Sequence, residues 1–396
     1  MEFWRSLTAS SDDTHAHNTT HDNTHRYPMR IELVQDNAHL LRLESEWNGL
    51  PFPTPMQSPV WLTEWCAVYG SHKADCELCT LAFYNDDDLV GVAPLYIRNS
   101  RLLGATLRLL GDGEVCSDHA GILSTAEAED EVRAEAFRWL KANAGKRWHQ
   151  MELEAIDHGQ SSIRTLVRDL KNGGLSVMER ESQGSWCVDL PATWEEYLSM
   201  LSKNHRKRCR RWINDYFESG RATVDFTTDE SDVVRGLDML VDMNRQQRES
   251  SGIKSCFSSE DLARFHHRVI SRLASQEQAA IRRLYVDGSL VAMEYALYDQ
   301  NTVYCYQSAM IARKHRDGFG TLSVLALIRH AQSLGLKRVD FLRGNESYKR
   351  SWNATHVPAV DFVVSANSAH GRIGNMLSSS KEQLRRWKRR YVVHSG

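Results

Sequence analysis

The sequence predicts an α/β fold in two halves, each a mixed, mostly antiparallel sheet flanked by helices. Three observations carry that prediction. After Met29, alternating apolar segments of strand length are interleaved with amphipathic segments of helical period. One order of elements (a helix-rich opening, an antiparallel hairpin, a helix, a further strand) occurs once before residue 185 and once after it. The composition, 41% hydrophobic and 25% charged over 396 residues, is that of a globular chain long enough for two cores. The halves share element order without a sequence repeat.

Residues 1–28 are polar and repetitive, and their side chains cannot offset the entropy of ordering, so this tail is expected to be disordered. Its His15, His17, His21 and His25 lack the companion ligands of a metal site. The first half is assigned to 29–185 and the second to 186–396. In the first, Arg30–Val34 reads as a strand and Leu40–Leu50 as a helix, and SPVWLTEWCAVYG reads as a helix with Trp61, Trp65 and Val68 on one face. A hairpin turning at Asn85–Asp88 follows, then a helix at Glu129–Ala144, the strand WHQMELEAI and a helix at Ser161–Leu170.

The second half opens on the strand SWCVDLP. Thr193 and Glu196 form a capping box before one long helix with Leu198, Leu201, Cys209, Trp212 and Tyr216 on its apolar face. Two helices follow the strand ATVDFTT, and then three strands turn at Asp287-Gly288 and at Gln300-Asn301. The loop RKHRDGFGT opens a helix that Gly335 ends. KRVDFL and VPAVDFVVS are the last strands, and Lys381–Arg390 is a basic helix.

Net charge is -2 with a pI near 6.8, which argues against a nucleic-acid partner. No apolar run is long enough to cross a bilayer, and the N-terminus lacks a signal peptide's apolar core. The eight cysteines are scattered, and the close pair Cys76 and Cys79 has no second pair at zinc spacing. A reducing cytoplasm and no metal are the expectation.

The chemistry concentrates around the glycine loop. A helix start carries N–H groups without intrahelical partners and partial positive charge. Glycines there let a phosphate approach with no Cβ in the way. Asp317, Gly318, Phe319, Gly320 and Thr321 are therefore expected to hold the pyrophosphate of a coenzyme A donor. On LVAMEYALY, alternation puts Val291, Met293, Tyr295 and Leu297 on one face and Ala292, Glu294 and Ala296 on the other. An acid between two alanines has space above it, and Glu294 is a candidate general base or a salt-bridged strand residue. Tyr304 and Tyr306 share a face on the next strand and are candidates to orient the acceptor or protonate a thiolate.

Hairpin, strand, GxG loop, helix and strand in this order resemble the core of the GNAT acyltransferases. DGFGTLSVLALIRHAQSLGLKRVDFLRGNESYK resembles the CelD/BcsL family within them, a group linked to cellulose and exopolysaccharide loci and related to Fem-type peptidyltransferases. The hallmark is the strand ending Asp340–Lys349 with Trp352 after it, and SKNHRKRCRRW is similar to the family's arginine-rich helix. The resemblance implies two GNAT-like halves, acetyl-CoA or another acyl-CoA as co-substrate, and a small-molecule or saccharide acceptor taking the acyl group on an amine or hydroxyl. Asp340, Arg343, Glu346 and Lys349 sit beyond a strand end, where ligand-facing loops gather, and Lys203, Arg206 and Arg210 lie along one helix side. These are the candidate substrate contacts, with Arg343 and Lys349 suited to anions. The basic segment around Trp387 is a candidate for peripheral membrane contact. A Fem-like transferase using charged tRNA, and a catalytically silent scaffold, are the alternatives.

Overall fold

The structure, a computed structural model, describes residues 28–70, 74–250, 252, 255–311 and 318–379. Asp317, the basic segment Lys381–Arg390 and all of the N-terminal tail but Pro28 lie outside the described residues.

The first half runs β1 (Arg30–Val34), α1 (Asn37–Trp47), α2 (Pro59–Trp65), β2 (Cys76–Leu78), β3 (Thr80–Asn85), β4 (Asp88–Ala93), β5 (Leu95–Ser100), β6 (Gly104–Leu109), β7 (Leu123–Ser124), α3 (Glu129–Asn143), β8 (Gln150–Asp157), α4 (Ser161–Asn172) and β9 (Ser176–Glu181). The second runs β10 (Ser185–Asp189), α5 (Trp194–Met200), α6 (Lys203–Trp212), β11 (Ala222–Thr227), α7 (Glu230–Ser250), α8 (Glu260–Ser275), β12 (Ala279–Val286), β13 (Ser289–Tyr298), β14 (Thr302–Met310), α9 (Phe319–Ser333), β15 (Arg338–Arg343), α10 (Tyr348–Ser351), β16 (Thr355–Val357) and β17 (Ala359–Ser365). A helix at 369–379 closes the described chain.

The two-half α/β architecture is present. In the second half a seven-stranded sheet has the order β11-β12-β13-β14-β15-β10-β16. It is antiparallel apart from β14 and β15, which are joined through α9 and run parallel. The first half repeats this in a six-stranded sheet, β2-β5-β6-β8-β17-β9, whose one parallel pair, β6 and β8, is joined through α3. A four-stranded sheet, β1-β3-β4-β7, completes that half.

Two expectations need correction. The long helix after Thr193 is two helices: Leu201 takes an extended ψ of 151°, and Ser202 starts a new helix by accepting the N–H of His205. The capping box at Thr193 and Glu196 is as read. A division at 185/186 also fails to separate the sheets. β17, near the end of the second half, pairs with β8 and β9 of the first, because its apolar Val360, Phe362 and Val364 fill that half's core.

The halves also share a core. Trp61 of α2 lies edge-on to Phe265 of α8 at 4.9 Å and to Tyr306 of β14 at 5.3 Å, burying large aromatic area across the junction. Arg268 and Arg272 of α8 reach Glu64 of α2 at 2.5 and 2.8 Å beside it.

Candidate active site

β14 and β15 pair only over Thr302–Tyr304 and Arg338–Asp340. Beyond that vertex they diverge, and the wedge between them opens into a cavity of about 290 Å³ bounded by β13, α9 and α10. Its walls include Ala292, Glu294, Cys305, Ser308, Met310, Gly320, Thr321, Ser323, Phe341 and Tyr348.

α9 begins at this opening. Gly318 is its N-cap at φ 66°, a left-handed conformation that favours glycine, with no side-chain cap and no acidic residue in the first turn. A Cβ at Gly318 would lie 3.0 Å from the Trp212 ring, and one at Gly320 would lie 2.9 Å from Met310 Cε. Gly318, Phe319, Gly320 and Thr321 thus form a helix N-terminus whose first turn carries no acid, and Gly320 and Thr321 present it to the cavity.

Glu294 sits in the cavity wall, between Ala292 and Ala296 as expected. It faces Arg282 across the β12–β13 ladder, and Arg282 Nε donates to Glu294 Oε2 at 3.1 Å, with Nη2 donating to the same oxygen. Arg282 Nη2 also reaches the Ser323 carbonyl at 3.0 Å and its hydroxyl at 3.1 Å, which ties the pair to α9. The ion pair is enclosed, with Arg282 2% exposed.

Tyr304 and Tyr306 are not brought to Glu294. They face the junction core, on the other side of the sheet from Cys305 and the cavity. The Tyr304 hydroxyl donates to Asp299 Oδ2 at 2.6 Å, and that of Tyr306 to the Val115 carbonyl at 2.5 Å. The tyrosine at the cavity is Tyr348, edge-on to Phe341 at 6.1 Å.

The hallmark residues mostly engage the protein itself. Asp340 accepts the Cys187 thiol at 3.1 Å, the Leu342 N–H at 2.7 Å and His119 Nε2 at 3.1 Å. The other His119 nitrogen meets Asp157 at 2.6 Å. Arg343 donates its backbone N–H to Asp118 at 2.8 Å and its guanidinium to the same carboxylate. Lys349, fully buried, donates to the carbonyls of Leu342 at 3.1 Å and Arg343 at 3.2 Å and pairs with exposed Glu346 at 2.9 Å. Lys203 and Arg206 lie in the opening turn of α6, away from the cavity walls. Trp212 is what α6 brings to the glycine loop, with the Arg208 guanidinium 5.7 Å from its ring.

His119 is an imidazole between two carboxylates. Burial alone would lower its pKa, but hydrogen bonds to Asp157 and Asp340 and their charges outweigh that and push it up to about 10. Burial likewise works to raise Asp340, yet His119, Cys187 and the Leu342 N–H hold it below the ordinary carboxylate value. The folded value for His119 lies above the unfolded ~6.5, so the link contributes fully below pH ~6.5 and fades as pH rises toward 10. Urea unfolding should therefore give a gap between wild type and His119→Asn that is widest below pH ~6.5 and narrows toward 10. A flat gap would mean a neutral His119.

The first half offers a counterpart that is filled. Beyond the parallel pairing of β6 and β8, a space of only about 20 Å³ remains, walled by Asp112, Glu152, Glu154 and Arg343. Arg108 occupies the neighbourhood, paired to Asp112, Glu152 and Glu154. The connecting helix α3 starts with Glu129, Asp130 and Glu131, which would repel phosphate. Among the described residues no helix is long and apolar enough to cross a membrane.

Residues 203–350 match the family model described as an acetyltransferase (GNAT) domain. No curated protein sequence matches the chain. Among solved structures, the chain is similar to FemX with a TM-score of 0.57 and 11% identity, covering 82% of this chain and 95% of that one. It is similar to a conserved protein of unknown function from Bacteroides thetaiotaomicron, with a TM-score of 0.52 and 10% identity over 85% of this chain and 100% of that one. The C-terminal domain of a putative lysylphosphatidylglycerol synthetase from Agrobacterium fabrum gives a TM-score of 0.50 and 11% identity over 87% and 97%. At these identities the likeness is one of fold. The second half thus contains a GNAT-type acetyltransferase domain.

Proposed function

We propose that this protein is an acyltransferase that moves an acyl group, acetyl in the simplest case, from acyl-CoA to an amine or hydroxyl. The observation that carries the reading is the β14/β15 wedge, a cavity of about 290 Å³ closed at one end by an uncapped helix N-terminus. The donor pyrophosphate lies against the N–H groups of Phe319, Gly320 and Thr321, and the pantetheine arm runs into the wedge. Amides of β14 past Tyr304, having lost β15 as a partner, polarise the thioester carbonyl. The acceptor attacks that carbon, the C–S bond breaks, Glu294 takes the acceptor's proton directly or through water, and Tyr348 protonates the thiolate. The hallmark Asp340–Lys349, which resembles the CelD/BcsL family, supports a saccharide or other cell-envelope acceptor.

Calorimetric titration with acetyl-CoA tests the donor. Gly320→Val places methyl groups against Met310 at the cavity wall and should weaken binding at least about tenfold, roughly 1.4 kcal/mol. Absence of acetyl-CoA binding by the wild type would overturn the donor assignment, and a gel shift with charged tRNA would then identify the Fem-like alternative. Tyr348→Phe should lower turnover roughly tenfold at unchanged donor affinity. That effect is modest for a general acid because a thiolate leaves readily without a proton. Unchanged turnover in a folded Tyr348→Phe would remove Tyr348 from the reaction.

A further inference from the structure

We infer that the loop Ser117–His119 of the first half sets the opening of the β14/β15 wedge, making Asp118 and His119 positioning residues for a site that lies in the other half. The inference rests on the reading of that wedge as the donor site.

The cavity exists because β15 leaves β14 after Asp340, and something must hold it away. Two residues of the departing strand are gripped. His119 takes Asp340 at 3.1 Å, and Asp118 takes the Arg343 N–H at 2.8 Å together with its guanidinium. Ser117 adds its carbonyl to Arg343 Nη2 at 3.2 Å. Between the gripped residues lies Phe341, part of the cavity wall, so fixing its neighbours fixes the wall.

The backbone at the grip is strained, as a device held from outside would be. Leu342, bulky and not glycine, sits at φ 55°, and His119, which meets Asp340 across the junction, sits at φ 60°. Such conformations are costly for a residue with a Cβ and persist only where neighbours over-determine them. The loop in turn is anchored on its own half. His119 Nδ1 meets Asp157 at 2.6 Å, and the His119 carbonyl accepts Gln160 Nε2 at 2.9 Å and also Gln57 Nε2. Asp118 and Asp340 are both buried, so their charges act with little screening. The raised affinity of His119 for its proton strengthens its hold on Asp340.

Cys305 reports on the wedge without any donor, since its thiol lines the cavity. Its alkylation by N-ethylmaleimide is followed by peptide mass spectrometry in wild type, His119→Asn, Asp118→Asn and the control Arg272→Met. Arg272 also bridges the halves, to Glu64 at 2.8 Å, but does not touch β15. A rate altered at least about fivefold in the two loop variants, with the control at the wild-type rate, supports the inference. Wild-type rates throughout, or the same change in Arg272→Met, overturn it and leave the loop a general brace. Arg343→Lys, which loses the planar fork, serves in place of the loop variants if these do not fold, with the same two outcomes. Acetyl-CoA titration of the same set should show at least about tenfold weaker binding in the loop variants alone. If the wild type binds no acetyl-CoA, the proposed function falls, while the Cys305 rates still decide the positioning role.

Discussion

Arg282→Met should lower the unfolding free energy by about 3–5 kcal/mol, because it strands the Glu294 carboxylate inside the sheet. The two side chains are cross-strand partners, both buried, and the guanidinium that Glu294 would lose is also the group that ties the pair to α9 at Ser323. Replacing both, as Arg282→Met with Glu294→Met, should restore most of that loss, since a well-packed apolar pair of similar length avoids the desolvation cost. Urea denaturation of the two single variants and the double one forms a cycle. A double variant as unstable as Arg282→Met would mean that the instability comes from lost packing of the Arg282 stem, and the ion pair would lose its assigned weight.

This pair also marks where sequence reading stops. The two-residue turn Asp287-Gly288 was legible and forms as expected, with Val286 opposite Ser289. Continuing that register without interruption would set Arg282 opposite Met293. A bulge between Leu284 and Tyr285 shifts the ladder by one residue, and Arg282 meets Glu294 instead. The same bulge places Val291 in the core on the α9 side with Ala292, rather than with Met293, Tyr295 and Leu297. Nothing in the residue types announces a bulge, so the partner of the candidate base was out of reach.

Other features were readable because their causes are local. The capping box at Thr193 and Glu196, the glycine loop that opens a helix at Gly318 and the alanines flanking Glu294 each follow from a few neighbouring residues. What failed was long-range. Asp118 and His119 are adjacent in sequence, but nothing local marks their partners Arg343 and Asp340, which lie more than two hundred positions away. The hallmark was recognised as a unit, yet Asp340 and Arg343 serve the junction between halves, Lys349 and Glu346 pair within the segment, and only Tyr348 and Phe341 reach the cavity. Likewise the strand β17 was legible as a strand, while its place in the other half's sheet depended on which core had room for Phe362.

Glu294→Gln should lower turnover by about a hundredfold or more if Glu294 accepts the proton directly, with acetyl-CoA affinity unchanged. The amide keeps the side chain's shape, its length and one acceptor toward Arg282, so Ala292, Ala296 and the cavity volume are retained. It removes the negative charge, so some stability is lost and turnover must be measured at a temperature where unfolding curves show the variant folded. Glu294→Asp supplies the matching test. It keeps the charge for Arg282 but withdraws the carboxylate by one methylene, and a proton acceptor displaced from its substrate should lose much of its effect while the fold does not. Low turnover in both variants at wild-type donor affinity supports the base. Near-wild-type turnover in Glu294→Gln would sink it, because a carboxamide cannot take the proton. Glu294 would then be only the counter-charge that lets Arg282 tie β12 to α9, and the proton would leave through solvent at the mouth of the wedge.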